Sequence, residues 1–211
     1  MKVMLVNGSP HPHGCTYTAL SEIAEALKKE KIEAEIFQVG VKPLAGCISC
    51  HKCAELGKCV FDDKVNEFTE AAGSADGFVF GSPVHYAAAS GAITSFLDRA
   101  FFSTMLAGRR DVFYLKPGAA IVSARRAGTT AAFEQLNKYF TISEMPVISS
   151  KYWNMVHGFT PDDVRQDLEG LQTMRVLARN MAWFLKCKEA GEKAGVPLPE
   201  KEEPVATNFI G

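Results

Sequence analysis

Four of the chain's six cysteines, Cys47, Cys50, Cys53 and Cys59, lie in the single stretch "GCISCHKCAELGKC". Their spacing, C-x2-C-x2-C-x5-C, puts four thiols on one short segment. Two chemistries are open to it. As thiolates the sulfurs are ligands for a metal centre; as thiols they are small apolar residues crowding into one loop. The N-terminus, "MKVMLVNGSP", is strand-like rather than leader-like, so the expected setting is the cytoplasm. Disulfides are rare there, and clustered cysteines more often bind metal or do redox chemistry.

A second group of residues has the makings of an anion site. "NGSPHPHGCTYTAL" leaves an apolar strand and enters a helix. Ser9, Thr16 and Thr18 offer hydroxyls, Gly14 permits close backbone approach, and the helix start presents unpaired amides. That combination suits a phosphate dianion. The fingerprints G-x-G-x-x-G and G-x-x-x-x-G-K-[ST] are both absent, and the plainer alternative is a turn whose hydroxyls only cap the helix. Further on, "GSPVHYAAASGAITSFLDR" sets Pro83, Val84, His85 and Tyr86 ahead of small residues and a helix. A rigid apolar edge with an aromatic packs against a flat heteroaromatic ring, unless Tyr86 simply closes the core. "SARRAGTTAAF" adds Ala124, Arg125 and Gly128. A cation there would stabilise negative charge on a reduced ring, although paired surface arginines are usually just solvated.

These segments need elements to hold them. "KVMLV" reads as a buried strand, and Leu20, Ile23, Ala24 and Leu27 recur at helical spacing. A second strand is expected over 32–39, a helical stretch near 63–73, a strand in "DGFVFGSP" and a helix from about Ser90 to Phe102. "GAAIVSA" reads as the fourth strand, "AAFEQLNKYF" as a helix and "PVISS" as a short fifth strand. The last long helix opens at Thr160 as N-cap with Pro161, Asp162 and Asp163 in its first turn. Val164, Leu168, Leu171 and Leu185 should share its apolar face, and Cys187 near its end should be a small buried hydrophobe.

Strands alternating with helices predict an α/β fold: a flavodoxin-like doubly wound five-stranded parallel sheet, order 2-1-3-4-5, with helices on both faces. Ligands then belong beyond the carboxyl ends of strands one, three and four. The 211 residues are read as one domain over 1–211, with a cysteine-rich loop at 40–62 and an extended C-terminal tail from about 189. Phe209 and Ile210 would be odd in a purely solvated tail. A net charge of -1 gives no reason to expect nucleic acid or an anionic membrane as partner. No apolar run reaches membrane-spanning length.

"GSPHPHGCTYTAL" resembles the G-S-P-R-x-x-G-N-T phosphate loop of the NADPH-dependent FMN reductase superfamily. "SPVHYAAASGAITSFLDR" resembles that family's S-P-V-Y-Y-G-S-x-S-x-x-x-K-x-F-x-D-R segment, and the similarity extends through "TNFIG". The resemblance implies non-covalent FMN and a homodimer or homotetramer. It implies Ser9, His11, Cys15, Thr16 and Thr18 around the phosphate, and Pro83, Val84 and Tyr86 against the ring. His11 stands where the family has arginine and Cys15 where it has asparagine, which moves the expected phosphate contacts toward backbone amides.

The stretch 46–59 is similar to the C-x2-C-x2-C-x4–7-C of the iron-sulfur flavoproteins within that superfamily. It implies Cys47, Cys50, Cys53 and Cys59 as ligands of a [4Fe-4S] cluster. A four-cysteine zinc site competes, though the x2 spacings are cramped for one ion, and so does a metal-free loop at a subunit contact. The implied activity is FMN-dependent NAD(P)H oxidoreduction toward a quinone, flavin, iron or other acceptor. The alternative is an electron carrier fed by ferredoxin through the cluster. In neither case need a side chain act as acid or base, because the flavin carries the chemistry.

Overall fold

Lys2–Asn7 (β1) is buried from Val3 onward, which is why its sequence shows no polar alternation. It lies between Glu33–Gln38 (β2) and Gly77–His85 (β3), parallel to both. β3 pairs in parallel with Gly118–Ala124 (β5), and β5 with Met155–His157 (β6). The order is therefore β2-β1-β3-β5-β6, with the two-residue strand Ala88–Ala89 (β4) folded back antiparallel on the end of β3. This is the expected doubly wound sheet, with one short hairpin strand added. The computed structural model describes residues 1–203 and 205–207. Phe209 and Ile210 lie outside the described residues.

Successive strand residues point to opposite faces, so each strand feeds two cores. Met4, Val6, Phe78, Phe80 and Val122 join Phe68, Phe96, Phe113 and Phe140 under Lys64–Ala71 (α3), Gly91–Leu106 (α4) and Thr129–Ile142 (α5). Val3, Leu5, Val79 and Ile121 face Leu20, Ile23 and Leu27 of Cys15–Lys29 (α1) and Leu177 and Met181 of Leu168–Lys193 (α7). Phe68 is fully buried, and its ring meets those of Phe37, Phe78, Phe80, Phe96 and Phe113. Phe68→Ala should therefore cost about 3–5 kcal/mol, read as a lower denaturant midpoint at unchanged slope.

Four local expectations are corrected. "PVISS" is not the fifth strand: it makes only an isolated bridge from Val147 to Gly118. Asn154 instead accepts from the Val122 amide and donates its side-chain N–H to Ala120, seating 155–157 on β5. The long last helix is two. Thr160 caps Pro161–Gln166 (α6) in a capping box, and Asp167 starts α7 by accepting from the Gly170 amide. The break rotates Leu168 off the stripe, leaving it 74% exposed while Val164 is buried. Cys187 is exposed, because the buried stripe of α7 ends at Leu185. The tail starts later than 189. α7 runs to Lys193 and stops at Gly195, whose positive φ of 77° lets Val196 bond back to the Gly191 carbonyl.

Candidate functional site

The loop from Asn7 to Cys15 is built by its own short hydrogen bonds. Asn7 accepts from the Ser9 amide and donates to Gln38 and to the His11 carbonyl; the Gln38 amide donates to the Ser9 carbonyl. Ser9 is 4% exposed and its hydroxyl accepts from the His11 amide. The helix start is left open. Gly14 is the N-cap of α1, and no side chain caps the first turn, so its backbone N–H groups face the loop. A Cβ on Gly14 would sit 2.9 Å from that of His11, so the turn needs glycine for its tightness.

Three strand ends are tied into one edge. The Gly8 amide donates to the Gly81 carbonyl at 2.8 Å, and Ser90, the N-cap of α4, donates its hydroxyl to the Gly8 carbonyl at 3.0 Å. The hydroxyls of Thr16 and Ser123 meet at 2.8 Å. Gly128 holds a φ of 90°, and a Cβ there would lie 2.9 Å from a methyl of Val84. The loops after β1, β3 and β5 are thus brought together as expected.

Individual residues divide within that frame. Ser9 lies in the loop facing the open turn. Thr16 is buried, and its hydroxyl meets that of Ser123, which ties the first and third of these loops together. Thr18 donates back to the Gly14 carbonyl. His11 is exposed, and Cys15 sits near the Gly158 carbonyl with its thiol pushed up by burial. Pro83 and Val84 are half-buried, while Ala124 is buried and Arg125 exposed beside His157, Gly158 and Phe159. Tyr86 does not close the core. It sits fully exposed next to His85 at the tip of the β3–β4 hairpin, with a left-handed φ of 60°. A bulky residue held in that conformation marks a stored cost, and the aromatic ring it carries is fully exposed.

The chemistry of this edge fits FMN. A glycine-capped helix start with free amides matches a phosphate dianion, and the Pro83–Tyr86 edge matches a flat ring.

The cysteine loop forms a separate concavity on the outer side of α4. Cys47, Cys50, Cys53 and Cys59 all line it, with Phe61, Arg99 and Phe102. Cys53 is buried at the start of a one-turn helix, Cys53–Leu56 (α2), and burial pushes its thiol up, with Cys50 and Cys59 adding to the effect. Ser49 and His51, flanking Cys50, have left-handed φ values of 51° and 57°. Such alternations turn backbone N–H groups toward a shared anion. Among the described residues no three His, Cys, Asp or Glu side chains gather closely enough to hold one metal ion. One zinc would draw its sulfurs to within about 4 Å of each other, whereas a cuboidal cluster gives each thiolate its own iron. Four thiols lining one hollow are a ligand set that a cuboidal cluster uses in full.

Sequence reasoning missed the residues that hold this loop. Arg99 is 1% exposed, Asp63 pairs with it through both carboxylate oxygens, and Asn66 grips Cys59 by its backbone amide and carbonyl. The signal was there in "SFLDRAFF", where an arginine interrupts an apolar helix face. From Ser90 at the sheet edge to Arg99 is about 13 Å along α4, so the two sites are neighbours but distinct. A third hollow of 420 Å³ is lined by Phe101, Phe102, Met105, Phe113, Tyr139 and Ile142, and shares Cys47 with the cysteine concavity. Burial, with the hydrogen bond to Asp98, holds the Tyr139 phenol well above its usual range.

Residues 1–160 match the family model described as NADPH-dependent FMN reductase. The chain belongs to that family. An iron-sulfur flavoprotein of Methanocaldococcus jannaschii is 31% identical over 88% of this chain and 98% of its own length. A second from the same organism is 29% identical over 89% of this chain and 98% of its own. Among solved structures, the flavoenzyme FerB, an NAD(P)H:(acceptor) oxidoreductase from Paracoccus denitrificans, superposes with a TM-score of 0.63 at 14% identity, covering 88% of this chain and 97% of FerB. A flavodoxin, WrbA-like protein from Agrobacterium tumefaciens gives a TM-score of 0.60 at 15% identity, over 88% of this chain and 98% of its own. These structural likenesses carry the flavodoxin-like fold. FMN is the cofactor that family membership brings, and the chain is an FMN-dependent oxidoreductase. No helix of the described residues is long and apolar enough to cross a membrane.

Proposed function

We propose that this FMN-dependent oxidoreductase is an electron-transfer flavoprotein whose Cys47, Cys50, Cys53 and Cys59 hold a [4Fe-4S] cluster, and that a ferredoxin-type protein is its electron donor. The observation that carries this reading is that all four thiols line one hollow, with the buried Arg99 donating to one of them. The iron-sulfur flavoprotein names of the relatives support it. FMN, when bound, supplies one- and two-electron transfer, and a cluster supplies one-electron transfer. The chain supplies the rest. The open first turn of α1 receives the phosphate, Ser9 contributes a hydroxyl beside it, and the Pro83–Tyr86 edge and Gly128 set where a ring can lie. Ile48 and Leu56, 61% and 53% exposed, surround the thiols with apolar surface that a second subunit would cover. A homodimer or homotetramer is proposed on that ground, acting in the cytoplasm, where thiolates stay reduced.

A second reading has its own support. The exposed Tyr86 edge leaves room for a nicotinamide above the ring, as NAD(P)H-dependent reduction of a quinone, flavin, iron or other acceptor requires. Anaerobic stopped-flow mixing separates the two. Reduced ferredoxin should bleach the flavin within seconds, and NADPH and NADH should act at least about tenfold more slowly at equal concentration. Rapid bleaching by either nicotinamide, with none by ferredoxin, would hand the function to the second reading.

A further inference from the structure

Arg99 offers five N–H groups, and every one is used. Nη1 donates to Asp63 Oδ2 at 2.7 Å and to the Ala45 carbonyl at 3.3 Å. Nη2 donates to Asp63 Oδ1 at 2.9 Å and to the Phe61 carbonyl at 3.3 Å. The fifth, Nε–H, points at the Cys59 sulfur at 3.3 Å. The guanidinium also lies 4.8 Å over the Phe61 ring. Ala45 precedes the first cysteine of the motif and Phe61 follows the last, so one side chain from α4 closes the loop at both ends. Cys59 is the most constrained of the four: Asn66 fixes its backbone on both sides while Arg99 addresses its sulfur. Cys47 and Cys50, by contrast, are exposed.

A fully buried cation is costly unless paired, and Arg99 is paired with Asp63 and hydrogen-bonded at every N–H. An N–H bond to a cluster sulfur stabilises the more negative, reduced state, and such bonds are among the main determinants of cluster potential.

From this geometry we infer that Arg99 is a positioning residue for the cluster: it holds the loop closed and, through Nε–H to the Cys59 sulfur, raises the cluster's reduction potential, with Asp63 as the counter-charge that limits the rise. The inference rests on the cluster reading proposed above. Asp63 and Arg99 therefore pull the potential in opposite directions, and a merely structural role would not produce opposed shifts.

The test uses the full chain purified anaerobically, with iron, sulfide and FMN measured first and the cluster then titrated with dithionite and followed by EPR. Arg99→Lys keeps the charge but places three donors on one nitrogen, which cannot reach Cys59, Asp63 and both carbonyls together. At the wild-type midpoint its reduced-to-oxidised ratio should fall about tenfold, a shift of ~59 mV to more negative potential. Asp63 is also the N-cap of α3, accepting from the Val65 amide, and Asp63→Asn keeps a capping residue and one acceptor oxygen there while removing the counter-charge, so its midpoint should move the other way. An iron-loaded Arg99→Lys protein with an unmoved midpoint overturns the inference. Should Arg99→Lys fail to fold or to keep iron, the sign in Asp63→Asn decides: a more positive midpoint supports it, and an unmoved or more negative one overturns it. Wild-type protein without iron would instead remove the cluster reading, and this inference with it.

Discussion

Ser9→Glu should abolish FMN binding. Ser9 is buried in the loop that faces the uncapped start of α1, so a carboxylate placed there meets the phosphate at close range. Two like charges about 4 Å apart at the edge of a protein repel by about 4 kcal/mol, and the phosphate carries more than one charge. A rise in Kd of about 1,000-fold or more follows. Fluorescence titration of the flavin-free protein with FMN measures it. Riboflavin, which has the ring and no phosphate, separates repulsion from collapse of the loop. Its weaker binding should be the same in wild type and variant if the variant's defect is electrostatic. Equal FMN affinity in the two proteins would place the phosphate somewhere other than this loop.

Cys50→Ala and Cys53→Ala should each strip the chain of iron while sparing its flavin. Wild-type protein purified anaerobically is expected to carry about four irons and four sulfides per chain, and either variant fewer than about one. Three thiolates leave one corner of a cuboidal cluster without a protein ligand. FMN content should stay within about twofold of wild type, because the flavin loops share none of the cysteine loop's ligands. Cys53 is the harsher site of the two. It is buried where Cys50 is exposed, so its replacement also disturbs packing under α2. Wild-type protein with negligible iron after anaerobic reconstitution would leave a thiol-rich loop whose role is to shape a subunit contact. The same cysteine variants would then alter oligomer stability and leave flavin reduction unchanged.

The chemistry of this protein is written locally, and so the sequence by itself determined much of it. A four-cysteine motif, a glycine-capped helix start after an apolar strand and the Pro83–Tyr86 edge are each contiguous in the chain, so residue type and spacing suffice to propose ligands. Alternating apolar strands and amphipathic helices likewise fix the doubly wound order, because a parallel sheet with both faces covered leaves few ways to connect them. What the tertiary structure alone decided is everything that depends on partners distant in sequence. Only the fold shows that the Thr16 hydroxyl meets that of Ser123, 107 positions away, and that Thr18 turns back on its own helix. Only the fold places the fifth strand at 155–157, since three residues carry too little pattern to be read, and Asn154 must reach Ala120 to seat them. Arg99 shows the difference best. Its position on an apolar helix face marked it as unusual, but its meaning lies 36 to 54 residues back, in the Asp63 carboxylate, the Cys59 sulfur and the carbonyls of Ala45 and Phe61. A buried charge is tolerated only where such partners converge, and convergence is a property of packing that no local window of sequence contains.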